Sequence, residues 1–337
     1  MNIHTYSVAL LSSLKSVKST KAISEEANES QSSGSRFLNS ANLDINTSKS
    51  AIDNLFGKKK LTLVVDDFTI SRRYATNTEG ISPLRDSSTK TFTLGTSFVA
   101  GGVTDSKYFL PLDLEQWVEE AVAQLKYLSK PQLAKILVNR ILTQVKNIKY
   151  ATFDGLYFNK YFIKELDQED ISFVIKAKTT TSVIWKNQKI QLRNCPALRL
   201  NNNQNCKKII AEWDGKLWHF IAVRYVGKRG TRIVYLIANF EAKSKKYAKI
   251  YASRWPIEKF IRTGKQFIGL NNSQSQQAKT YLNHIRCVFY AYGILQKIMK
   301  KFRLSSAEEA LHKIQALKFK LDFHQIFDWV SLFINYA

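Results

Sequence analysis

A segment late in the chain combines one acid with cations and aromatic rings at helical spacing. It reads Tyr251-x2-Arg254-x3-Glu258-x6-Lys265, and Trp255 follows the arginine. On a helix, Arg254, Glu258 and Lys265 are separated by one and two turns and share a face. Phosphate groups are favoured where cations surround a helix N-terminus. The spacing therefore predicts a phosphate-binding site that contains one carboxylate.

Two further acidic positions follow β-rich, apolar segments. Asp66 and Asp67 come directly after Leu61–Val65, and Asp154 follows Tyr150–Phe153. Such segments are typical of buried strands. Because adjacent residues of a strand face opposite ways, only one of Asp66 and Asp67 can point into a shared site.

Taken in order, the three blocks resemble those of a known family. The spacing of tyrosine, arginine, glutamate and lysine is similar to the Y-R-E-K motif of bacterial insertion-sequence DDE transposases, in the insertion-sequence-four branch. Leu63-Val-Val-Asp66-Asp67 is similar to the first-aspartate strand of that family, and Asp154-Gly155-Leu-Tyr157-Phe158 to its second-aspartate block. The resemblance covers roughly residues 61–300.

The resemblance implies a ribonuclease H-like core in which Asp66, Asp154 and Glu258 are the catalytic and metal-binding residues. It favours Asp66 over Asp67, because the acid of the family directly follows the apolar strand. Two Mg²⁺ ions on shared carboxylates suit in-line displacement at phosphorus, and Mn²⁺ could substitute. Histidine and cysteine are not needed for this chemistry, and none lies in the three motifs.

The remaining motif residues are expected to bind DNA. The resemblance implies that Arg254 and Lys265 hold DNA phosphates and that Tyr251 adds a phenolic hydrogen bond. Trp255 could stack on an extruded base, although packing in the core is an equally good interpretation. Simple alternatives exist for two of the acids: Asp154 as a solvated residue at a strand end, and Glu258 in a surface salt bridge.

Composition favours a polyanionic partner. The 337 residues include 51 Lys plus Arg against 27 Asp plus Glu, a net charge of +24. Such an excess fits the binding of DNA, which releases condensed counterions. No apolar run approaches the ~18 residues of a membrane span, so no membrane partner is expected. The three cysteines form no CxxC pair, which argues against a zinc finger.

Strand and helix patterns alternate, which predicts an α/β fold with a mixed, ribonuclease H-like sheet, flanking helices and a β-rich insertion. Pro256 is best tolerated in a first helical turn, so the motif helix should begin near Ser253 within a helical stretch over 244–269. Residues 1–60 are either a small helix-turn-helix or a linker. The expected organisation is 1–60 as the N-terminal segment, 61–177 as the first part of the core, 178–240 as the insertion and 241–337 as the completed core.

The insertion is predicted to form a subdomain outside the central sheet and to contact DNA. Its strands are expected near 179–192, 207–213, 217–225 and 232–240. The basic residues proposed for DNA contact are Lys207, Lys208, Lys228, Arg229 and Arg232.

We therefore expect a transposase that cleaves DNA at transposon ends and transfers the strands to target DNA. It should act as a homodimer on DNA, in the cytoplasm and in association with the bacterial nucleoid. Two alternatives stay open: another ribonuclease H-fold nuclease, and an inactive or domesticated DNA-binding protein.

Overall fold

The centre of the molecule is a mixed β-sheet. The computed structural model describes residues 1–85, 91–123, 126–227 and 230–333. Within these ranges the strands are β1 (Leu61–Ser71), β2 (Ser82–Arg85), β3 (Phe92–Thr104), β4 (Phe109–Trp117), β5 (Ile148–Phe153), β6 (Phe173–Ala177), β7 (Ser182–Trp185), β8 (Gln188–Gln191), β9 (Cys206–Trp213), β10 (Lys216–Gly227) and β11 (Gly230–Ala238). Their order is β2-β3-β1-β5-β6-β11-β10-β9-β7-β8, with β4 paired to β3.

Parallel and antiparallel pairs meet at β1 and β5. Strand β1 runs parallel to β5 and antiparallel to β3, and β5 runs parallel to β6. The first five residues of β1 are buried, as expected of a strand covered on both faces. The mixed sheet with flanking helices is the α/β fold that the sequence predicts, and it is consistent with a ribonuclease H-like core.

The position of the insertion differs from the expectation. Residues 178–240 are rich in strands, but β11 pairs antiparallel with β6, from Tyr235 opposite Ala177 to Ala238 opposite Val174. The prediction of a subdomain outside the central sheet is therefore wrong. An unpaired edge on β6 would leave backbone N–H and C=O groups without partners, and the last five residues of β11 are buried. The insertion extends the central sheet.

The single strand predicted over 179–192 is instead a hairpin. Strands β7 and β8 pair around Lys186 and Asn187, whose φ angles are 50° and 62°. Positive φ at both central residues is the geometry of a tight two-residue hairpin turn. The Asp214-Gly215 turn between β9 and β10 also has positive φ at both residues, and it joins the strands that were expected near 207–213 and 217–225.

Helices cover the sheet and form a separate layer beside it. They are α1 (Ile3–Ser12), α2 (Thr20–Glu26), α3 (Gln31–Ser40), α4 (Asn46–Phe56), α5 (Glu120–Ala123), α6 (Lys130–Gln144), α7 (Lys160–Gln168), α8 (Ser244–Ala252), α9 (Trp255–Thr263), α10 (Ala278–Lys301), α11 (Ala307–Leu317) and α12 (Phe323–Ser331). Helix α10 is the centre of the helical layer and packs against β4. No helix of the described residues is long and apolar enough to cross a membrane.

The N-terminal segment is folded and is not a linker. Helices α1, α3 and α4 pack against α10, and α1 buries the consecutive residues Tyr6 to Ser12. The order helix, turn, helix that was one interpretation of residues 1–60 is present in α2 and α3. Its role in DNA binding stays a prediction.

The helical stretch predicted over 244–269 is broken in two places. Helix α8 ends at Ala252 and α9 begins at Trp255, two residues after the predicted start. Pro256 explains the break, because proline cannot donate a backbone hydrogen bond inside a continuous helix. After Thr263 the chain widens into one π-helical turn, Gly264–Ile268.

Candidate active site

The first two acids lie side by side because their strands are parallel neighbours. Val65 on β1 pairs with Phe153 on β5, and Asp66 and Asp154 are the residues that directly follow this pair in the chain. Neighbouring strands are about 4.8 Å apart. Asp154 follows the end of β5 and begins the short 3₁₀ turn Gly155–Tyr157. The sheet register alone therefore brings these two carboxyl groups to one place.

Helix α9 adds the third acid and a cation that joins it to the first. Arg254 stands at the N-terminus of α9, and Glu258 lies in its first turn. Nη1 of Arg254 donates to Oδ2 of Asp66 at 2.5 Å, and Nη2 donates to Oε1 of Glu258. The guanidinium thus bridges acids that are 192 positions apart in the chain.

Asp154 has its own pair of donors. The hydroxyl of Tyr251, near the end of α8, donates to Oδ1 of Asp154 at 3.1 Å. Lys176 on β6 places its ammonium 3.3 Å from the same oxygen. Burial raises the pKa of Tyr251, so the phenol keeps its proton and acts as a donor.

Burial and charge set the ionisation of these groups. Burial raises the pKa of Asp66 to about 7, although Arg254 opposes the rise. Burial also favours a raised pKa for Asp154, but Arg254 and Lys176 outweigh it and lower the pKa of that carboxyl. Burial would lower the pKa of Arg254, yet its acidic neighbours raise it. The guanidinium therefore stays charged.

Asp67, the neighbour of Asp66, contacts a different cation. Its Oδ2 accepts a hydrogen bond from Nζ of Lys130 at 2.5 Å, and the same ammonium lies 5.4 Å from the ring centre of Trp117. The structure thus joins Asp66, and not Asp67, to the arginine of the motif. This separation agrees with the alternation of side chains along a strand.

A polar pocket of about 360 Å³ opens beside Asp154 and Glu258. Its wall includes Trp255, whose side chain is 52% exposed, so this ring is not a core residue. The other motif lysine lies elsewhere: Nζ of Lys265 donates to the carbonyl oxygen of Thr69 at 2.7 Å. The π turn displaces Lys265 from the regular helical face that the spacing predicts.

Two residues of the site were not singled out from the sequence: Lys176 contacts Asp154, and Tyr225 lines the pocket. Tyr157, a residue of the second-aspartate block, is fully buried with its hydroxyl unpartnered among the described residues. Lys176 could have been found, because it lies on the strand beside the second acid. Tyr225 could not, because its place depends on its pairing with Arg232 across a hairpin.

The five basic residues of the insertion that were proposed to contact DNA do not lie at one place in the structure. Arg232 lines the pocket, whereas Lys208 pairs with Glu241. Lys207 is half-buried on β9. Lys228 and Arg229 lie outside the described residues. Of these five predicted DNA contacts, only Arg232 can be assigned to the pocket from the described part of the chain.

The three carboxylates are oxygen ligands of the kind that a hard divalent ion binds, but in this structure each of them contacts a cationic side chain. Among the described residues, no group of three or more His, Cys, Asp or Glu side chains is arranged to hold a metal. Asp66, Asp154 and Glu258 supply only oxygen donors, which Mg²⁺ prefers. The side chain of Arg254 is 13% exposed and occupies the position between Asp66 and Glu258. The donor set of these three acids suits a metal ion, and a shared ion would need the place that the Arg254 side chain occupies.

Two family models match the chain, each over more than half of its length. The model described as "Transposase DDE domain" matches residues 122–292. The model described as "DDE superfamily endonuclease" matches residues 2–194. No curated protein matches the chain. The two matched ranges together contain the strands and the helix that carry the three acids.

Proposed function

The chain belongs to the DDE transposases, and on that premise we propose that it cleaves DNA at transposon ends and transfers the strands into target DNA. The family supports a transposase-type nuclease function in general. The steps of cleavage and transfer, the insertion-sequence-four branch and the individual site residues are our proposal.

One observation carries the proposal: a single guanidinium connects two acids that come from different sequence blocks. Arg254 contacts Asp66 and Glu258, while Tyr251 of the same motif contacts Asp154. A salt bridge confined to α9 would explain the Glu258 contact, but not the others. Two residues of the motif, Tyr251 and Arg254, therefore contact all three acids, at the middle of β1, the end of β5 and the first turn of α9.

In this proposal Asp66, Asp154 and Glu258 hold Mg²⁺, with two ions in the active complex and Mn²⁺ as a substitute. When bound, the ions activate the attacking oxygen and stabilise the leaving oxygen of the phosphodiester. Arg254 releases its acids and binds a DNA phosphate, for which its planar fork is suited. Tyr251 keeps Asp154 oriented through its hydrogen bond.

The pocket wall supplies the remaining DNA contacts. Lys176 and Arg232 bring positive charge to the wall of the pocket, where they can bind phosphates. The exposed ring of Trp255 offers a flat surface for a base or a sugar. We retain Lys265 as a phosphate ligand because its ammonium carries a positive charge, which a DNA phosphate favours.

Transposition joins two transposon ends to one target. A homodimer on DNA, with one such site for each end, fits this requirement. We propose that the protein works in this form in the cytoplasm, at the bacterial nucleoid. A dimer-sized complex should therefore form only when end DNA is present, as measured by light scattering.

The test is cleavage of plasmids that carry the DNA flanking the gene on both sides. We expect Mg²⁺-dependent nicking by the wild type and none by Glu258→Gln, because the variant keeps the shape of the side chain but loses its charge. DNA binding should survive, since affinity comes mainly from cations. Glu165→Gln is the matched control, because it makes the same change on the exposed face of α7.

Equal nicking by the wild type and Glu258→Gln would mean that the active site lies elsewhere. Binding without any nicking by the wild type would instead support the alternative of an inactive DNA-binding protein. Nicking at random positions, with no preference for the flanking DNA, would support a general nuclease.

A further inference from the structure

A second basic surface lies on α8, away from the acids. The helix buries Tyr247, Ile250 and Tyr251 against the sheet and exposes Lys245, Lys246 and Lys249. The exposed lysines of α8 face the same solvent region as the start of β1 and β5, because one cavity of about 260 Å³ is lined by Lys60, Tyr150, Lys246 and Lys249. We call Lys60, Lys149, Lys245, Lys246 and Lys249 the lysine face.

The charge of the lysine face is not balanced by nearby acids. Within the described ranges, none of its five members has an ion pair with a carboxylate. The one acid in the wall of the cavity, Asp105, is already paired with Lys59 at 2.6 Å. Two lysine ammonium groups also lie over the Tyr150 ring, Lys149 at 5.5 Å and Lys246 at 5.3 Å from its centre. Lysines interleaved with an aromatic ring are suited to a nucleic acid.

The lysine face continues into the active-site pocket. Positions 245, 249 and 252 are one turn apart on the exposed side of α8, and Ala252 lines the pocket that holds Asp154 and Glu258. Ser253, the next residue, lines the cavity of the lysine face. The rise from Lys245 to Ala252 is about 10 Å, which corresponds to roughly three base pairs of duplex.

We propose that the lysine face binds the phosphates of the DNA duplex that leads into the active-site pocket, three or more base pairs from the bond that is cut. This inference rests on the proposed function, because that function identifies the bound duplex as transposon-end DNA. It adds a contact surface outside the motif residues, on the exposed side of a helix that carries none of the three acids.

A membrane surface is a poorer partner for the same lysines. Helices that lie on lipid expose an apolar face, which enters the headgroup region. The large apolar residues of α8 are instead buried against the sheet. The Tyr247 ring of α8 lies 5.2 Å from the Phe240 ring, and the Phe240 ring lies 5.1 Å from the Tyr150 ring, measured between ring centres. The exposed side of α8 therefore offers charge without an apolar face.

The experiment compares two triple variants of the full chain. Lys245→Gln/Lys246→Gln/Lys249→Gln removes three charges from the lysine face, and glutamine is a comparable helix former. The matched control makes the same change at three exposed lysines of the C-terminal helical region: Lys301, Lys313 and Lys320. Binding to duplexes of about one and two helical turns is measured by fluorescence anisotropy over a range of salt concentrations.

We expect the lysine-face variant to reduce the slope of log affinity against log salt by about 2 to 3, as for the loss of three phosphate contacts. It should also lose most of the affinity gained on going from the short to the long duplex. At low salt it should still nick DNA, because its acids are intact. The control should retain the wild-type slope and length dependence.

An unchanged slope in the lysine-face variant, or an equal reduction in the control, would overturn the proposal. Loss of binding to phosphatidylserine vesicles with unchanged DNA binding would overturn it in favour of a membrane. Absence of nicking by the wild type would count against the proposed function alone, since the binding measurements do not depend on cleavage.

Discussion

The buried position of Asp66 should make metal binding depend on pH. Its side chain is 13% exposed, and burial raises its pKa from 3.8 to about 7. Only the carboxylate can bind a hard divalent ion, so below pH 7 the metal must displace a proton. The affinity of the DNA-free protein for Mg²⁺ is therefore expected to rise as the pH rises through 7.

The size of the effect follows from the pKa. With a pKa of about 7, roughly one molecule in eleven has ionised Asp66 at pH 6, and roughly ten in eleven at pH 8. The dissociation constant for Mg²⁺ should then be about tenfold larger at pH 6 than at pH 8, or about 1.4 kcal/mol. Arg254 competes for the carboxylate at both pH values because it stays charged, so it does not change this ratio.

Isothermal titration calorimetry at both pH values, in two buffers of different ionisation enthalpy, measures the affinity and the number of protons released. Asp67→Asn should keep most of the pH dependence, because burial is the main cause of the raised pKa of Asp66 and the charge of Asp67 is a smaller one. Asp66→Asn should lose it together with most of the affinity. Equal affinity at pH 6 and pH 8, or loss of the dependence in Asp67→Asn alone, would refute the assignment of Asp66 as a buried metal ligand.

Three substitutions test the roles of the motif residues. Arg254→Gln should strengthen Mg²⁺ binding by the DNA-free protein about tenfold or more, because a competing charge close to two acids is removed. Since Arg254 also lowers the pKa of Asp66, the comparison is made at a pH where that carboxyl is ionised in both proteins, and calorimetry that shows weaker binding there would contradict this. Tyr251→Phe should weaken Mg²⁺ binding several-fold by removing the hydrogen bond to Asp154; unchanged affinity would make that bond irrelevant to the metal. Lys265→Ala should lower the salt slope of DNA binding by about one, whereas a lower melting temperature with an unchanged slope would reduce Lys265 to an anchor on Thr69.

The sequence was most informative where local pattern and topology agree. The apolar residues before Asp66 and Asp154 predict buried strands, and parallel pairing then brings the two acids together. Spacing on a helix likewise predicts the contact between Arg254 and Glu258. These features depend on short-range periodicity, which a single sequence contains.

The errors concern long-range partners. The sequence of β11 does not identify β6 as its neighbour, because several strands of the chain have similar apolar residues and any of them could pair with it. The N-terminal helices were missed in part because their stability depends on α10, as in the hydrogen bond between the Tyr6 hydroxyl and Nδ1 of His284 at 2.9 Å. The π turn that moves Lys265 off the helical face has no local signal that distinguishes it from a regular turn.

The central claim is that Asp66, Asp154 and Glu258 hold metal ions during DNA cleavage, and replacement of one acid by cysteine tests it most directly. A thiolate is a soft ligand that binds Mn²⁺ better than Mg²⁺. We predict that Asp66→Cys fails to nick DNA in Mg²⁺ and recovers nicking in Mn²⁺, while Asp67→Cys is active in both. Full activity of Asp66→Cys in Mg²⁺, or no recovery in Mn²⁺ by a folded variant that still binds DNA, would contradict the claim.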